Sequence, residues 1–411
     1  MKDKMNKSKK LIIIIIAIIL MYLSFSMGIF IPNIEERKHF DNFQKDSESL
    51  VIGRIYNDYY GFNSKYGLRF IKPYGENGEE FILEDYKSQV GIQGKIFSFM
   101  FNKMHIPIEQ LNNICALLTA IVLVAICYLL YEKYGTMFSV VFYIVFLLSP
   151  WIVDFARNLY WVEFLWFIPL LLCLLLDKTK NKGVFLPLIF IAVFLKCLCG
   201  YEYLSTILLT SITFFILDFI LVKEKRKQIF ITVFEIGCIC IFAFILAICL
   251  HALIRGDGNL INGINTIYKE DVLRRTMGNN TELFEDQRVK ASIEASYTSV
   301  YLKYFQFYTD IIYCIPGYMF VIIVIISLVI IMYNVLSEKE NSNRDAIIYL
   351  IFFISTSSWH ILAKAHSYIH LHMNYVLWYF GYMQMCIYII VKSMNDGMDY
   401  IISKGRIKNG K

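Results

Sequence analysis

Two stretches, "LIIIIIAIILMYLSFSMGIF" (residues 11–30) and "GYMFVIIVIISLVIIMYNVL" (317–336), decide the fold class. Neither contains a charged residue. As helices rising 1.5 Å per residue, runs of ~20 residues cover the ~30 Å hydrocarbon core of a bilayer. The rest of the chain agrees. Hydrophobic residues make up 57% and charged residues 18% of the 411, and mean hydropathy is +0.52. Charged residues are nearer a quarter of an ordinary soluble domain. The chain therefore reads as an all-α integral membrane protein, one polytopic domain over residues 1–411. The first run follows the basic MKDKMNKSKK, as in a signal peptide. It exceeds an h-region of ~7–15 residues and no A-x-A site follows, so it reads as a retained anchor.

The apolar runs predict about ten spans, near 11–30, 111–131, 137–153, 162–176, 184–198, 203–222, 229–250, 317–336, 346–362 and 375–391. Lysine and arginine set their orientation. The segments YEKYG, DKTKNKG, KEKRKQ and SEKENSNRD alternate with VDFARNLYW, KCLCGYEY and AKAHSYIHLHMN, which carry one Lys or Arg each. Both termini are thereby placed in the cytoplasm of a cell membrane. Two long segments, 31–110 and 251–316, then face outward, and loops of that length are usually functional. Aromatics at intervals predict amphipathic surface helices in both.

Most of the ten cysteines lie within apolar runs and behave as small hydrophobes. Cys197 and Cys199 form an isolated C-x-C, which makes no metal site without a second pair. The net charge of +6 is loop charge and points to no nucleic acid.

Chemistry, if present, belongs to the outward loops. "DSESLVIGRIYNDYYG" (46–61) predicts a helix starting near Ser47, with Asp46 and Glu48 at its favourable N-terminal end. Leu50, Val51 and Ile55 would line one face and Gly61 would stop it. This stretch resembles a motif of GT-C type membrane glycosyltransferases: an acidic pair after the first span, then D-E-x(6 or 7)-A-R-x(5)-G. Here D-x-E replaces D-E and Gly53 replaces the alanine, followed by Arg54. The layout is also similar, with a long first outer loop and about ten helices. The resemblance implies a polyprenyl-phosphate sugar donor, a glycan or lipid acceptor, Asp46 or Glu48 as base, and cations on the lipid phosphate. A divalent ion held by first-loop acids stays open. The bland reading of both acids is helix capping.

Further candidates follow along the chain. Gln89 and Gln93, each near a glycine, offer amides that bond hydroxyls in both directions, or mark a turn. Asp154, Arg157, Asn158 and Glu163 crowd one boundary; the first pair suits a local ion pair, whereas Glu163 falls within a span, where a carboxylate is expensive. Lys196 and Glu202 sit at the same level, and Lys196 is either a snorkelling lysine or a phosphate ligand. Arg274 and Arg275 are the best cationic pair of the second long segment. Lys364, His366, His370 and His372 share the last outer loop. His366 and His370 would share a face in a helix, His370 and His372 only in an extended strand, so ligand contact and interfacial packing both fit better than a metal. The resulting expectation is an outer-face glycosyltransferase of surface polysaccharide assembly. A polysaccharide polymerase and a lipid-linked glycan transporter are the alternatives.

Overall fold

The computed structural model describes residues 7–74, 80–276, 286–307 and 309–409, so the first six residues of the basic N-terminus lie outside it. The apolar first helix α1 (Lys7–Met27) leads into α2 (Ile34–Asn42), α3 (Lys45–Tyr59), a hairpin of β1 (Arg69–Tyr74) and β2 (Glu80–Asp85), and α4 (Ile92–Met104). Next come α5 (Ile108–Tyr134), α6 (Thr136–Leu148), α7 (Pro150–Ala156), α8 (Phe164–Thr179), α9 (Lys182–Cys199), α10 (Leu204–Leu221) and α11 (Arg226–Arg255). The second long segment contains α12 (Leu260–Ile267), α13 (Leu273–Arg275), α14 (Gln287–Glu294) and α15 (Tyr297–Lys303). The chain closes with α16 (Phe320–Leu336), α17 (Ser342–Leu362), α18 (Lys364–Ile369), α19 (Leu371–Asn374) and α20 (Tyr382–Asn409).

Among the described residues, seven helical segments are long and apolar enough to cross a membrane, against about ten expected. They comprise α1, α5, α9, α10, α17, and α11 and α16 with their leading turns. The bent pair α6–α7 would make an eighth. The bend of 65° has a local cause. Pro150 lacks an N–H and pushes Ser149 out of the helical region (ψ 119°), while the Ser149 hydroxyl accepts from the Ile152 amide to start α7 afresh. The expected spans at 162–176 and 375–391 appear as α8, 16 residues long, and as a 3-10 turn (Tyr375–Tyr379) running into α20.

The two long segments meet on one face of the bundle, hereafter the loop face. The Arg255 guanidinium donates to the Lys87 carbonyl, and Lys65 pairs with Asp257. The first segment is not only helical. In the β1–β2 hairpin Arg69 pairs with Asp85 and Ile71 with Leu83. Pro73 within β1 and the short alternating runs hide these strands from a reading by helical period.

Helix α3 buries Leu50, Val51 and Ile55 as its periodicity predicts. Its Gly53 packs against β1 so closely that a Cβ would overlap the Arg69 carbonyl. Arg54 ties down the chain after α3, pairing with Asp58 at 2.9 Å and donating to the carbonyls of Ser64 and Tyr66. Arg54 is thus engaged within the first segment.

Gly53→Ala should destabilise the detergent-solubilised protein by ~1–3 kcal/mol, because overpacking outweighs the helix propensity gained. Gly237→Ala, where nothing crowds the added Cβ, should leave the thermal midpoint unchanged or raise it.

Candidate functional site

Among the described residues, α3 separates two cavities on the loop face. Residues two apart on a helix point roughly 200° apart, and the two acids separate accordingly. Asp46 lines the larger cavity, of about 620 Å³. Glu48 lines the smaller, of about 320 Å³, with Asp41, Asn112, Asp154, Arg157 and Asn158. The basic and acidic candidates are therefore divided between two cavities.

Glu48 is committed to structure. Its Oε1 accepts from Asn112 Nδ2 at 2.6 Å and from the Leu159 amide at 3.2 Å. The segment 157–163 that it grips is held from every side. Arg157 donates to the Phe40 carbonyl, with its guanidinium over the Phe40 ring at 3.8 Å. Asn158 donates to the Gln44 carbonyl and accepts from the Tyr160 and Trp161 amides. Gln93 donates to the carbonyls of Tyr160 and Cys199, both at 3.0 Å. Asp154 is buried and pairs with His39 at 2.7 Å. Burial works against charge on His39, but the hydrogen bond and charge of Asp154 prevail and raise its pKa.

These contacts also hold Val162 at φ +42°, a strained value for a β-branched residue. Glu163 follows it, fully buried, with neither carboxylate oxygen hydrogen-bonded among the described residues. It lines neither cavity. A charged carboxylate left unpaired there would cost several kcal/mol.

The larger cavity gathers side chains from well-separated parts of the chain. The α3 start gives Asp46, and the turn into α8 gives Tyr160 and Trp161. Glu202 comes from the turn before α10, and Arg274, Arg275 and Arg288 from the second long segment. The α18–α19 loop adds His366, His370 and His372. The helix breaks at His370 (ψ 36°), which lets all three imidazoles face one space although no single helix or strand would align them. The His366 and His370 rings lie 4.5 Å apart, and those of His370 and His372 6.2 Å apart. Among the described residues no group of three or more His, Cys, Asp or Glu is placed to hold a metal ion.

Positive charge in this cavity is carried by the arginines, and negative charge by Asp46, Glu202 and Asp286. Burial and neighbouring charges hold His366 well below its usual range and push His370 down to about 4. Burial also lowers His372, which Asp46 partly offsets. Arg275 donates to Glu202 at 3.2 Å; burial disfavours its charge, but Tyr86, Glu202 and Asp271 outweigh this, so it stays cationic. Three buried polar atoms of residues that line the cavity, Trp161 Nε1, Arg275 Nε and His366 Nδ1, have no hydrogen-bond partner among the described residues. The volume suits a small-molecule site, typically ~300–1,000 Å³.

Besides Arg54, Gln93 and Glu163, three further candidates lie off the cavities. Lys196 is buried and caps its own helix by donating to the Gly200 carbonyl at 2.8 Å. Lys364 is buried and donates to the carbonyls of Ile293 and Ala295 at 2.6 and 2.7 Å, clamping the second long segment to the histidine loop. Gln89 is buried and accepts from the Tyr160 hydroxyl at 3.4 Å. Sequence reasoning missed Arg288, Tyr86 and Phe70, which share the cavity. Of these only Arg288 carried a signal, its charge, in a segment of mixed signs.

The histidines set a pH dependence. Between their ordinary 6.5 and about 4, the unfolded chain binds more protons than the folded one, so stability is lost as pH falls through that window. His39, raised in the fold, acts oppositely: its contribution is complete below 6.5 and disappears as pH rises through its folded value. The thermal midpoint should therefore fall between pH 6.5 and 4, and His370→Gln, neutral throughout, should make that slope shallower. Against known proteins the chain matches no family model, no curated sequence and no solved structure.

Proposed function

We propose that the chain is a membrane glycosyltransferase that works in the larger cavity, taking a sugar from a polyprenyl-phosphate donor. The observation that carries this reading is the composition of that cavity: two exposed carboxylates, Asp46 and Asp286, with three arginines and three neutral imidazoles, between aromatic walls. In this reading the loop face is extracytoplasmic, the lysine-rich loops are cytoplasmic, and the architecture is GT-C-like. The product is a cell-surface polysaccharide or its lipid-linked precursor.

The chemistry assigns each group a task. An acceptor hydroxyl attacks the anomeric carbon, and Asp46 takes its proton as general base. The bond from that carbon to the phosphate oxygen breaks, and its electrons leave with the phosphate. Arg274, Arg275 and Arg288 stabilise the charge that builds there, since guanidinium pairs with phosphate oxygens in a fixed fork. Tyr86, Tyr160 and Trp161 present ring faces to the apolar side of a sugar.

A polymerase that joins lipid-linked repeat units would use the same arginines of the second long segment, and differs in making a product of many units. The transport reading is weaker. Its one mid-span acid, Glu235, is paired with Lys182 at 2.6 Å, which accounts for that carboxylate without a polar route.

The two acids give a test, using proteoliposomes supplied with a panel of polyprenyl-phosphate hexoses and a membrane glycan acceptor. Asp46→Asn should lower transfer ~10²-fold or more while leaving the thermal midpoint unchanged. Glu48→Ala should instead lower stability by ~1–3 kcal/mol, because Asn112 and the Leu159 amide lose their acceptor. Full transfer by Asp46→Asn would overturn the assignment of the base.

A further inference from the structure

A slot of about 390 Å³ opens sideways between α1, α5 and α6, within the apolar belt of the bundle and far from both loop-face cavities along the chain. Ile14, Ala17, Val124 and Val140 form its walls, and almost all of its surface is apolar. One end is closed where the Tyr143 hydroxyl donates to the Ala17 carbonyl at 3.0 Å. The open end holds Lys10, Tyr128 and Tyr131, with the Lys10 ammonium 6.0 Å from the Tyr131 ring centre. From Lys10 to Ala17 the slot runs ~10 Å along α1, at 1.5 Å per residue.

An apolar slot that faces hydrocarbon fills with hydrocarbon, since water there would find few polar partners. The polar end narrows the choice. Two neighbouring lysines are neutralised: Lys133 by Asp177 and Asp218, and Lys178 by Glu132. Lys10 makes no ion pair within 4 Å among the described residues; Glu132, which pairs with Lys178 and accepts from the Tyr128 hydroxyl, feels its charge from farther off, and Lys7 and Lys9 stand exposed on the same helix end. A cation above a closed apolar slot is complementary to an anion that carries a hydrocarbon tail. Tyrosines beside it place their hydroxyls at headgroup level, as in interfacial aromatic belts.

We infer that this slot binds one anionic glycerophospholipid from the leaflet next to the lysine-rich loops, its phosphate on Lys10 and the upper part of one acyl chain between α1 and α6. The bound lipid joins α1 to the bundle. The window of α1 best suited to cross the membrane is only 17% buried by protein, so α1 depends on lipid for the rest of its packing.

The test uses the full-length protein in nanodiscs of phosphatidylcholine with or without phosphatidylglycerol, read by native mass spectrometry and by thermal unfolding. The wild type should retain phosphatidylglycerol after delipidation and unfold at a higher temperature with it. Lys10→Gln should lose most of the retained lipid and of the shift, and Lys10→Arg should keep both. Val140→Phe, at a half-exposed wall position, should lower retention by filling the slot without touching the charge. Equal retention by wild type, Lys10→Gln and Val140→Phe would overturn the site. Loss with Val140→Phe but not with Lys10→Gln would show an acyl slot indifferent to headgroup charge, and would overturn the anionic selectivity.

Discussion

The loop face depends on a buried set of hydrogen bonds centred on the Glu48 carboxylate. By accepting from Asn112 on α5 and from the Leu159 backbone, it fastens a surface helix to the membrane bundle at one point. Around that point Arg157, Asn158 and Gln93 satisfy the carbonyls of Phe40, Gln44, Tyr160 and Cys199. Such networks are stable when complete and costly when a member is missing, because the low local dielectric strengthens every bond and penalises every orphan. The orientation of α3 follows from this anchor, and so does the direction of Asp46. The strain at Val162 is held by the same contacts.

The second segment is fixed to this frame through charges that are themselves paired. Arg275 meets Glu202, Arg255 meets Glu270 and Asp271, and Lys364 is capped by two carbonyls. Pairing matters because an isolated buried charge would be expelled or neutralised. Arg274 is the least constrained of the three arginines at the cavity, with only a 3.9 Å approach to Asp271, and Arg288 is mostly exposed. These two are free to meet an anion with little loss of existing bonds. The histidines nearby stay neutral, so they add donors and acceptors without adding charge.

Much of this was legible in the sequence, and the reasons differ by residue. The apolar runs gave the membrane helices because length and continuity are one-dimensional properties. The buried face of α3 was legible through Leu50, Val51 and Ile55 because helical period depends on spacing alone. The separation of Asp46 from Glu48 also follows from helix geometry, once the helix is granted. What stayed hidden was partnership at long range. Nothing near Lys196 or Lys364 reveals that each would spend its charge on backbone carbonyls, and nothing near Arg54 reveals the carbonyls of Ser64 and Tyr66. The hairpin was hidden by its shortness, and the shared histidine face by a helix break that spacing rules do not contain.

The divided acids bear on how a two-acid signature should be read. A general base must reach a substrate proton and keep acceptor capacity free for it. Glu48 Oε1 already holds two donors, whereas Asp46 stands exposed at a cavity rim with only the adjacent Ser47 amide on its Oδ1. The physical requirements for anchoring and for proton transfer are opposed: one asks for saturation and burial, the other for an open lone pair and access. Under the proposed mechanism, two carboxylates separated by one residue divide these demands, because helical rotation sends them to opposite sides. The serine between them adds to the division, since the Ser47 hydroxyl donates to Gln44 Oε1 and steadies the turn from which both acids emerge. In the proposed transferase, the inserted residue between the acids keeps anchoring and proton transfer apart, since neighbours only ~100° apart would compete for the same side of the helix.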